Sequence, residues 1–243
     1  MSYRDKLYGQ YRATHLKAQQ PLTQAARRYE VRVLAKTFGP LLPADKSAAI
    51  FDLGCGAGSF LRFLQEAGYR RASGMDHDPG SIAEARRLGV EAVHGDALEH
   101  LASRPGHYDC VAAIDVIEHF KKEELFDVAG TVHAALKPGG VFLWRSPNAD
   151  GLFGARVRYG DLTHELAFTK ESAWQFMRAA DFSDVEIFPE EPLVTGARSL
   201  VRQVLWRFFK LGAKAYLFAE SYAHEGCLLT ANLIVRARKP ASA

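Results

Sequence analysis

The chain has 243 residues, of which 48% are hydrophobic and 24% charged, as expected for one soluble globular domain with a sizeable core. A formal net charge of +3 excludes the strongly basic balance of nucleic-acid-binding proteins, and three widely separated cysteines exclude a disulfide framework. The polar N-terminus lacks the apolar core of a signal peptide, and no apolar run approaches the ~20 residues of a membrane-spanning helix, so we expect a cytoplasmic protein.

Taken in chain order, β-rich segments alternate with helical patterns. Strands are predicted at residues 48–54, 72–76, 90–96, 108–117, 139–148, 185–190 and 227–239. Helices are predicted at residues 59–68, 79–89, 121–140, 169–182 and about 197–222. This alternation predicts an α/β protein with a doubly wound, seven-stranded, mostly parallel sheet. We divide the chain into an N-terminal helical cap at 1–45 and a ligand-binding domain at 46–243, with the helix at about 197–222 as an insert.

The first predicted strand leads into a glycine-rich turn, in the segment "IFDLGCGAGSFLRFL", where Gly54, Gly56 and Gly58 occupy alternate positions. Such a turn lets a ligand approach the backbone and presents amide groups at the N-terminus of the next helix. Dinucleotide-binding turns have the spacing G-x-G-x-x-G, and here Ser59 stands where the third glycine would be. The spacing therefore favours a nucleoside ligand without a pyrophosphate and disfavours a dehydrogenase.

The segment "FDLGCGAG" resembles the first motif of class I S-adenosylmethionine (SAM)-dependent methyltransferases. The resemblance continues at that family's intervals through "GMDHDP", "HGDALE", "YDCVAAIDVIEHF" and "LKPGG", over residues 50–148. It implies a Rossmann-like methyltransferase fold with an antiparallel last strand, and SAM as the cofactor. Residues 46–243 are then the SAM-binding methyltransferase domain.

The resemblance assigns the cofactor to residues at the ends of the first two strands. Gly54 and Gly56 would let the methionine part of SAM lie against the first turn, and Asp52 would meet its ammonium group. Asp76, with His77 beside it, would accept hydrogen bonds from both ribose hydroxyls. One such acid alone is usually a helix cap or a turn residue, but acids at four successive strand ends favour a binding role.

Two later strand ends complete the implied cofactor site. Asp96 and Ala97 match the adenine-binding position, where a carboxylate accepts from the exocyclic amine. Ile114 and Asp115 would contribute backbone contacts near the methionine.

The N-terminal segment is expected to fold over SAM, as such segments often do in this family. Tyr11 is our candidate for a lid residue at the cofactor, and Arg12 for one at the substrate. Tyr3 and Tyr8 fit an ordinary amphipathic helix on the flank of the sheet.

If the methyl acceptor is a hydroxyl, a group that removes its proton is needed, and histidine suits this role near neutral pH. Two histidines follow strands at the active edge: His119 in "DVIEHF" and His164 in "RYGDLTHELAFT". We favour His164 as the general base, with Asp161 or Glu165 holding its tautomer. Glu118 could orient His119 or help to bind a metal.

The segment around His164 is rich in hydrogen-bonding groups, and we assign Arg158, Tyr159 and Glu165 to substrate binding. It resembles a segment of methyltransferases from bacterial surface-polysaccharide and sugar-modifying clusters. This resemblance implies O-methylation of a sugar hydroxyl, on a nucleotide-linked or surface-glycan acceptor, where specificity would come from convergent hydrogen bonds.

Two alternatives remain open at this point. A quinone-type or other small-molecule O-methyltransferase is favoured by the resemblance of "DVIEHF" and by a basic helix before the last strand, and metal dependence through Glu118 or His119 would point to it. A SAM-sensing or scaffold protein without turnover is the non-enzymatic alternative. The strand-end acids and the two histidines speak against it.

The predicted insert contains a basic amphipathic helix, "RSLVRQVLWRFFKLGAK", at residues 198–214. It contains five basic residues and no acid: Arg198, Arg202, Arg207, Lys210 and Lys214. At 100° per residue six of its apolar residues share one face: Leu200, Val201, Val204, Leu205, Phe208 and Leu211. Such a helix is most often packed with a solvated basic face. It could also wall the acceptor pocket, pair two protomers of a homodimer, or dock peripherally on the inner face of an anionic membrane.

Overall fold

The computed structural model describes residues 3–14, 23–221 and 226–241, apart from the side chains of Asp5, Arg12, Ala13 and Ser221. The strands of this part of the chain are β1 Ala49–Leu53, β2 Arg71–Asp76, β3 Ala92–His94, β4 Tyr108–Ile114, β5 Leu136–Pro147, β6 Ser183–Pro189 and β7 Asn232–Arg238. The helices are α1 Tyr3–Thr14, α2 Gln24–Phe38, α3 Ser59–Glu66, α4 Pro79–Arg87, α5 Ala97–Ala102, α6 Leu125–Ala135, α7 Gly154–Gly160, α8 Lys170–Ala179 and α9 Ala197–Ser221.

The strands form one sheet in the order β3-β2-β1-β4-β5-β7-β6. β7 runs antiparallel to both β5 and β6, and the other pairs are parallel. The predicted seven-stranded, mostly parallel sheet with an antiparallel last strand is therefore confirmed. The strand order reverses between β1 and β4, and open sheets of this kind bind ligands at the carboxyl ends of the strands beside such a reversal.

Helices cover both faces of the sheet because the central strands are apolar on both sides. In β4, Val111 and Ala113 face the layer that contains α6 and α8, whereas Cys110 and Ala112 face the layer of α2, α3 and α4. All four residues are fully buried. Continuous apolar strands of this kind are typical of parallel sheets buried on both faces.

Helix α2 belongs to one of these layers. Its Phe38 is fully buried, and the Phe38 ring meets that of Phe60 in α3 edge to face, with centroids 5.5 Å apart. This packing favours a division of the chain before α2, and the division at residue 45 stays a prediction. Helix α2 falls within the predicted helical cap at 1–45. Helices α5 and α7 were missed in the sequence, because their six and seven residues are too few to show a helical period.

Helix α9 is the basic insert predicted at about 197–222. Its apolar face does not pack on the sheet, since all six apolar residues predicted to share that face are at least 51% exposed. Within the described part of the chain, no helix combines the length and the apolarity needed to cross a membrane.

Gly74 in β2 is a glycine whose lack of a side chain the packing requires. It lies opposite Asp52 in β1, and a Cβ at Gly74 would come within 2.6 Å of Cys55 Cβ and 3.0 Å of Asp52 O. These atoms belong to β1 and the turn that follows it. A side chain at position 74 would therefore displace the glycine-rich turn.

We expect Gly74→Ala to lower the free energy of unfolding by about 1–3 kcal/mol, the usual cost of overpacking. Gly130→Ala is the matched control, because Gly130 lies inside α6 with open space around its Cβ position. It should raise stability by about 0.5–1 kcal/mol through helix propensity. Urea unfolding of both variants measures this, and equal stabilities would contradict the close packing at Gly74.

Candidate active site

The glycine-rich turn between β1 and α3 is held against the end of β2. The backbone N–H groups of Gly54 and Cys55 donate to Met75 O at 2.9 and 3.1 Å. Gly54 has φ of 69°, and a Cβ there would come within 2.6 Å of the Val116 side chain. Gly56 has φ of 51°, and a Cβ there would point into open space. The turn thus needs glycine for its backbone at both positions, and Gly56 leaves room for a ligand.

Two carboxyl groups lie next to this turn. Asp76 accepts hydrogen bonds from the backbone N–H groups of Gly56 at 2.9 Å and Asp78 at 2.8 Å, so it ties the first turn to the second. Asp52 is 2% exposed, and burial, together with the charge of Asp76, raises its pKa well above the usual value. Exposed His77 lies beside Asp76, with Nδ1 3.7 Å from Asp76 Oδ1.

Asp96 and Ala97 lie at the N-terminus of α5. The Asp96 carboxylate accepts from the backbone N–H groups of Leu98 at 2.8 Å and Glu99 at 3.1 Å, so it is the N-cap of this helix. These bonds use Oδ1, and the role of Asp96 in adenine binding stays a prediction.

Asp115 follows Ile114, the last residue of β4, and has φ of 58°, which is uncommon for a residue other than glycine. Its carboxylate forms a two-point ion pair with Arg145, whose Nε lies 2.8 Å from Oδ1. Arg145 Nη1 also donates to Glu190 Oε1 at 2.7 Å, and Glu190 Oε2 accepts from Asn232 Nδ2 at 2.7 Å. Although burial disfavours the charge of Arg145, the two carboxylates hold its pKa above the ordinary value.

His119 and His164 meet edge to face with ring centroids 4.9 Å apart. His119 Nδ1 lies 3.3 Å from Thr163 O, and His164 Nδ1 lies 3.2 Å from Val157 O. Because a carbonyl can only accept, each Nδ1 carries the hydrogen and each Nε2 is the acceptor nitrogen of the neutral ring. The tautomer of His164 was expected to be set by Asp161 or Glu165, but a backbone carbonyl occupies that position.

Glu118 is 1% exposed, and its Oε2 has no hydrogen-bond partner among the described residues. Burial, together with the charge of Asp115, raises its pKa well above the usual value. One ligand atom each from Glu118, His119 and His164 lie within 4.8 Å of one another. This is a donor set that could hold a divalent cation.

A cavity of about 600 Å³ opens beside the two histidines. Its lining residues come from the ends of β4, β5 and β7, from α1 and from α7: Tyr11, Asp115, Glu118, His119, Pro147, Phe153, Arg156, Val157, Gly160, Asp161, His164 and Asn232. The two candidate bases therefore share one cavity at the carboxyl edge of the sheet, next to the strand reversal.

Helix α7 decides which side chains reach this cavity. Phe153, Arg156, Val157 and Gly160 line it, at the i, i+3, i+4, i+7 spacing of one helix face. No helix was predicted in this segment, whose hydrogen-bonding side chains were assigned to substrate binding, so its cavity-facing side was missed.

The predicted substrate-binding residues Arg158, Tyr159 and Glu165 are not among the cavity's lining residues. Arg158 lies over the Tyr159 ring at 4.8 Å and donates to Glu165 O, and Tyr159 is 74% exposed. Positions 158 and 159 follow the cavity-facing Arg156 and Val157 and turn away from the cavity, because helix α7 turns about 100° per residue. The side chain of Arg12, the fourth predicted substrate residue, lies outside the described part of the chain.

Asp161 holds the end of α7 in place. It is 7% exposed and accepts from Thr163 N at 2.9 Å and Thr163 Oγ1 at 2.6 Å. It also accepts from the Tyr11 hydroxyl at 2.8 Å, and burial, followed by this hydrogen bond, raises the pKa of Tyr11. Asp161 is thus a link between α1 and the segment that carries His164.

Helix α1 covers the site through further contacts. Arg4 donates to both Glu124 carboxylate oxygens at 2.7 and 2.9 Å and to His119 O at 2.8 Å. The centroid of the Tyr8 ring lies 5.3 Å from that of His77 and 6.4 Å from that of His119. Burial raises the pKa of Tyr8 to about 12. Tyr3 and Tyr8 were both predicted on the flank of the sheet. Tyr8 contacts two histidines of the candidate site, whereas the Tyr3 hydroxyl donates to Glu165, which is not among the cavity's lining residues.

Comparison with known proteins gives one family and several relatives. A family model described as a methyltransferase domain matches residues 24–187. Over 101 residues the chain is 33% identical to a probable S-adenosylmethionine-dependent methyltransferase of Mycolicibacterium smegmatis, covering 41% of this chain and 38% of that protein. Over 122 residues it is 29% identical to a ubiquinone biosynthesis O-methyltransferase of Klebsiella pneumoniae, covering 44% of this chain and 48% of that protein. The matches span less than half the length of these curated relatives.

Solved structures share the fold. A SAM-dependent methyltransferase from Archaeoglobus fulgidus superposes with a TM-score of 0.65 at 21% identity, over 98% of this chain and 100% of that one. Phosphoethanolamine N-methyltransferase 2 of Haemonchus contortus, in complex with SAM, superposes with a TM-score of 0.63 at 19% identity. This superposition covers 99% of this chain and 60% of that one.

We expect Arg4→Ala to loosen α1, with amide hydrogen exchange of residues 3–14 rising about tenfold. The bonds of Arg4 to Glu124 and His119 O are charge-assisted but partly solvated, so we expect the variant to lose about 1.5 kcal/mol of the free energy that holds α1. A tenfold change in an equilibrium constant corresponds to about 1.4 kcal/mol. Lys6→Ala, at an exposed position of the same helix, is the control. Mass spectrometry measures the exchange, and equal rates in both variants would show that Arg4 does not hold α1.

Proposed function

The chain belongs to the methyltransferase-domain family of SAM-dependent methyltransferases, and from this premise we propose that it methylates a sugar hydroxyl with His164 as the general base. The observation that carries the proposal is the cavity beside His164. There an acceptor nitrogen of fixed tautomer lies among polar side chains, at the carboxyl edge of the sheet. The acceptor would be a nucleotide-linked sugar or the end of a surface glycan.

The residues at the strand ends fit SAM. The open space at the Gly56 Cβ position leaves room at the first turn, and the buried Asp52 carboxyl is a partner for an ammonium group. Asp76 has its carboxylate at the junction of two turns, where it would accept from the ribose hydroxyls. When bound, SAM supplies an activated methyl group. His77 and Tyr8 would close the ribose side, since their rings pack against each other.

His164 would act on the acceptor through Nε2. Its Nδ1–H bond to Val157 O fixes the ring, so Nε2 would take the hydroxyl proton as the acceptor oxygen attacks the methyl group. Asp161 would act indirectly, by holding the end of α7 and Tyr11. The chain itself has to align the acceptor with the donor, which accounts for the rigid links between α1, α7 and the strand ends.

A sugar acceptor is supported by the polar groups of the cavity wall. Arg156, Asn232 and Asp161 present donors and acceptors there, and Phe153 presents an apolar ring. Sugars offer many hydroxyls and an apolar ring face, so convergent hydrogen bonds beside an aromatic ring suit them.

The second candidate is a metal-assisted O-methyltransferase acting on a quinone-type phenol. It is supported by the cluster of Glu118, His119 and His164, and by the similarity to the ubiquinone biosynthesis enzyme. In both histidines Nδ1 donates to a carbonyl, the outer-shell arrangement typical of histidine metal ligands. A cation held by Glu118, His119 and His164 would favour the ionised phenol.

We expect Asp76→Ala to weaken SAM binding by on the order of 10–100-fold, the loss expected when charge-assisted hydrogen bonds are removed. Isothermal calorimetry with SAM measures the affinity. Asp127→Ala, at an exposed acid on α6, is the control and should bind SAM like the parent protein. An unchanged affinity of the Asp76 variant would remove Asp76 from the cofactor site.

For the reaction, we expect His164→Ala to slow methyl transfer by on the order of 10²–10⁴, the usual contribution of a positioned base, with SAM affinity nearly unchanged. The assay follows S-adenosylhomocysteine release with nucleotide sugars, glycan fragments and quinone precursors, with and without a chelator. His107→Ala is the control, because exposed His107 precedes β4 at the opposite edge of the sheet.

The outcomes separate the two candidates. Turnover on a sugar that is insensitive to chelator, and lost in His164→Ala, supports the sugar methyltransferase. Turnover on a phenol that chelator abolishes, with His119→Ala and Glu118→Gln as inactive as His164→Ala, would replace it with the metal-assisted reaction. A loss in His119→Ala alone would mean that His119 is the base.

A further inference from the structure

The apolar face of α9 points away from the protein. Part-buried positions recur every three or four residues on one side of the helix, at Ser199, Gln203, Trp206, Lys210, Ala213 and Leu217. This is the side on which α9 rests, and Lys210 Nζ there donates to Glu191 Oε1 at 2.7 Å. At 100° per residue the apolar face lies opposite to it. The helix therefore presents its apolar side outward.

This outward face is large and continuous. We call it the α9 face and define it by the residues Leu200, Val201, Val204, Leu205, Phe208, Leu211 and Phe218, each between 51% and 70% exposed. Seven large apolar side chains on one exposed helix face exceed the scattered apolar residues normal on a protein surface. A contiguous patch of this kind marks a docking surface.

Basic residues lie along both edges of the α9 face. In helical projection Arg207 and Lys214 follow one edge, and Arg198 and Arg202 follow the other. The single acid of α9 is Glu220, near its C-terminal end. An apolar strip between two rows of cations is complementary to an anionic bilayer, which offers acyl chains below a layer of negative headgroups.

The same charges argue against a second copy of the chain as the occupant. Pairing the α9 faces of two protomers would bring two sets of arginine and lysine together, with only Glu220 of each copy to offset them. Like charges placed across an interface disfavour association. At 25 residues α9 is long enough, but it lacks the apolarity to span a bilayer, so it would lie flat in the headgroup region.

We infer that α9 docks this protein peripherally on the surface of an anionic phospholipid bilayer. The helix connects β6 to β7, and Asn232, the first residue of β7, lines the cavity. Glu190, just after β6, bonds both Arg145 and Asn232. The docked helix therefore leaves from and returns to the edge of the sheet that bears the cavity. Docking would bring that edge close to acceptors held in the membrane.

The test is co-sedimentation of the full chain with vesicles of equal parts phosphatidylcholine and phosphatidylglycerol, against vesicles of phosphatidylcholine alone. We expect at least about tenfold tighter binding to the anionic vesicles, weakened by added salt. Phe208→Glu with Leu211→Glu should lower binding by at least about tenfold, because two charges enter the apolar strip. Arg207→Gln with Lys214→Gln should weaken binding to the anionic vesicles and leave binding to the phosphatidylcholine vesicles unchanged.

Matched controls come from other surfaces. Trp174→Glu on α8 replaces another exposed apolar side chain, and Arg87→Gln on α4 removes another exposed cation. Both should bind vesicles like the parent protein. Sedimentation velocity without lipid gives the oligomeric state of each variant, and circular dichroism checks that each is folded. Calorimetry with SAM should give the parent affinity throughout, so this test is independent of the proposed reaction.

Several results would overturn the inference. They are failure to sediment with either vesicle, equal binding to both compositions, and equal losses in the α9 variants and the controls. A dimer that Phe208→Glu with Leu211→Glu dissociates would instead make the α9 face an interface between two copies.

Discussion

The reversal of strand order between β1 and β4 is the constraint on which the rest of the site depends. Parallel strands on the two sides of this point end at the same edge, and their following turns separate there because they connect to helices on opposite faces. The glycine-rich turn occupies one side of the gap and the segment after β4 the other. Gly54 lets the two approach, since any side chain at that position would strike Val116.

A chain of hydrogen-bonded polar side chains, half-buried except for the exposed Asp115, then fixes the second side of this gap. Asp115, Arg145, Glu190 and Asn232 connect the ends of β4, β5, β6 and β7 through hydrogen bonds that are mostly charge-assisted. The same network anchors both ends of the connection that contains α9. The glycine-rich turn, the cavity and the connection that contains α9 therefore lie on one edge of one sheet.

The sequence was sufficient to predict the sheet and the turn residues, because strand patterns, glycine spacing and strand-end acids are local signals. It was insufficient for α7, because seven residues are too few to show a helical period. Arg158 and Tyr159 were therefore predicted to bind substrate, whereas Phe153 and Arg156 line the cavity in the structure. The contact of Tyr11 with Asp161 joins residues 150 positions apart, and no local pattern encodes it. The apolar stripe of α9 was visible, but periodicity alone does not tell which face packs on the protein.

The two histidines show how one geometry can serve two chemistries. Both rings donate Nδ1–H to carbonyls of the segment from Val157 to Thr163, and both residues line the cavity. A general base needs one of these atoms, whereas a metal site needs both and a carboxylate. Ring orientation is therefore common to the two mechanisms. Glu118 distinguishes them: its buried Oε2 has no partner among the described residues, is idle in the base mechanism, and is a ligand in the metal mechanism.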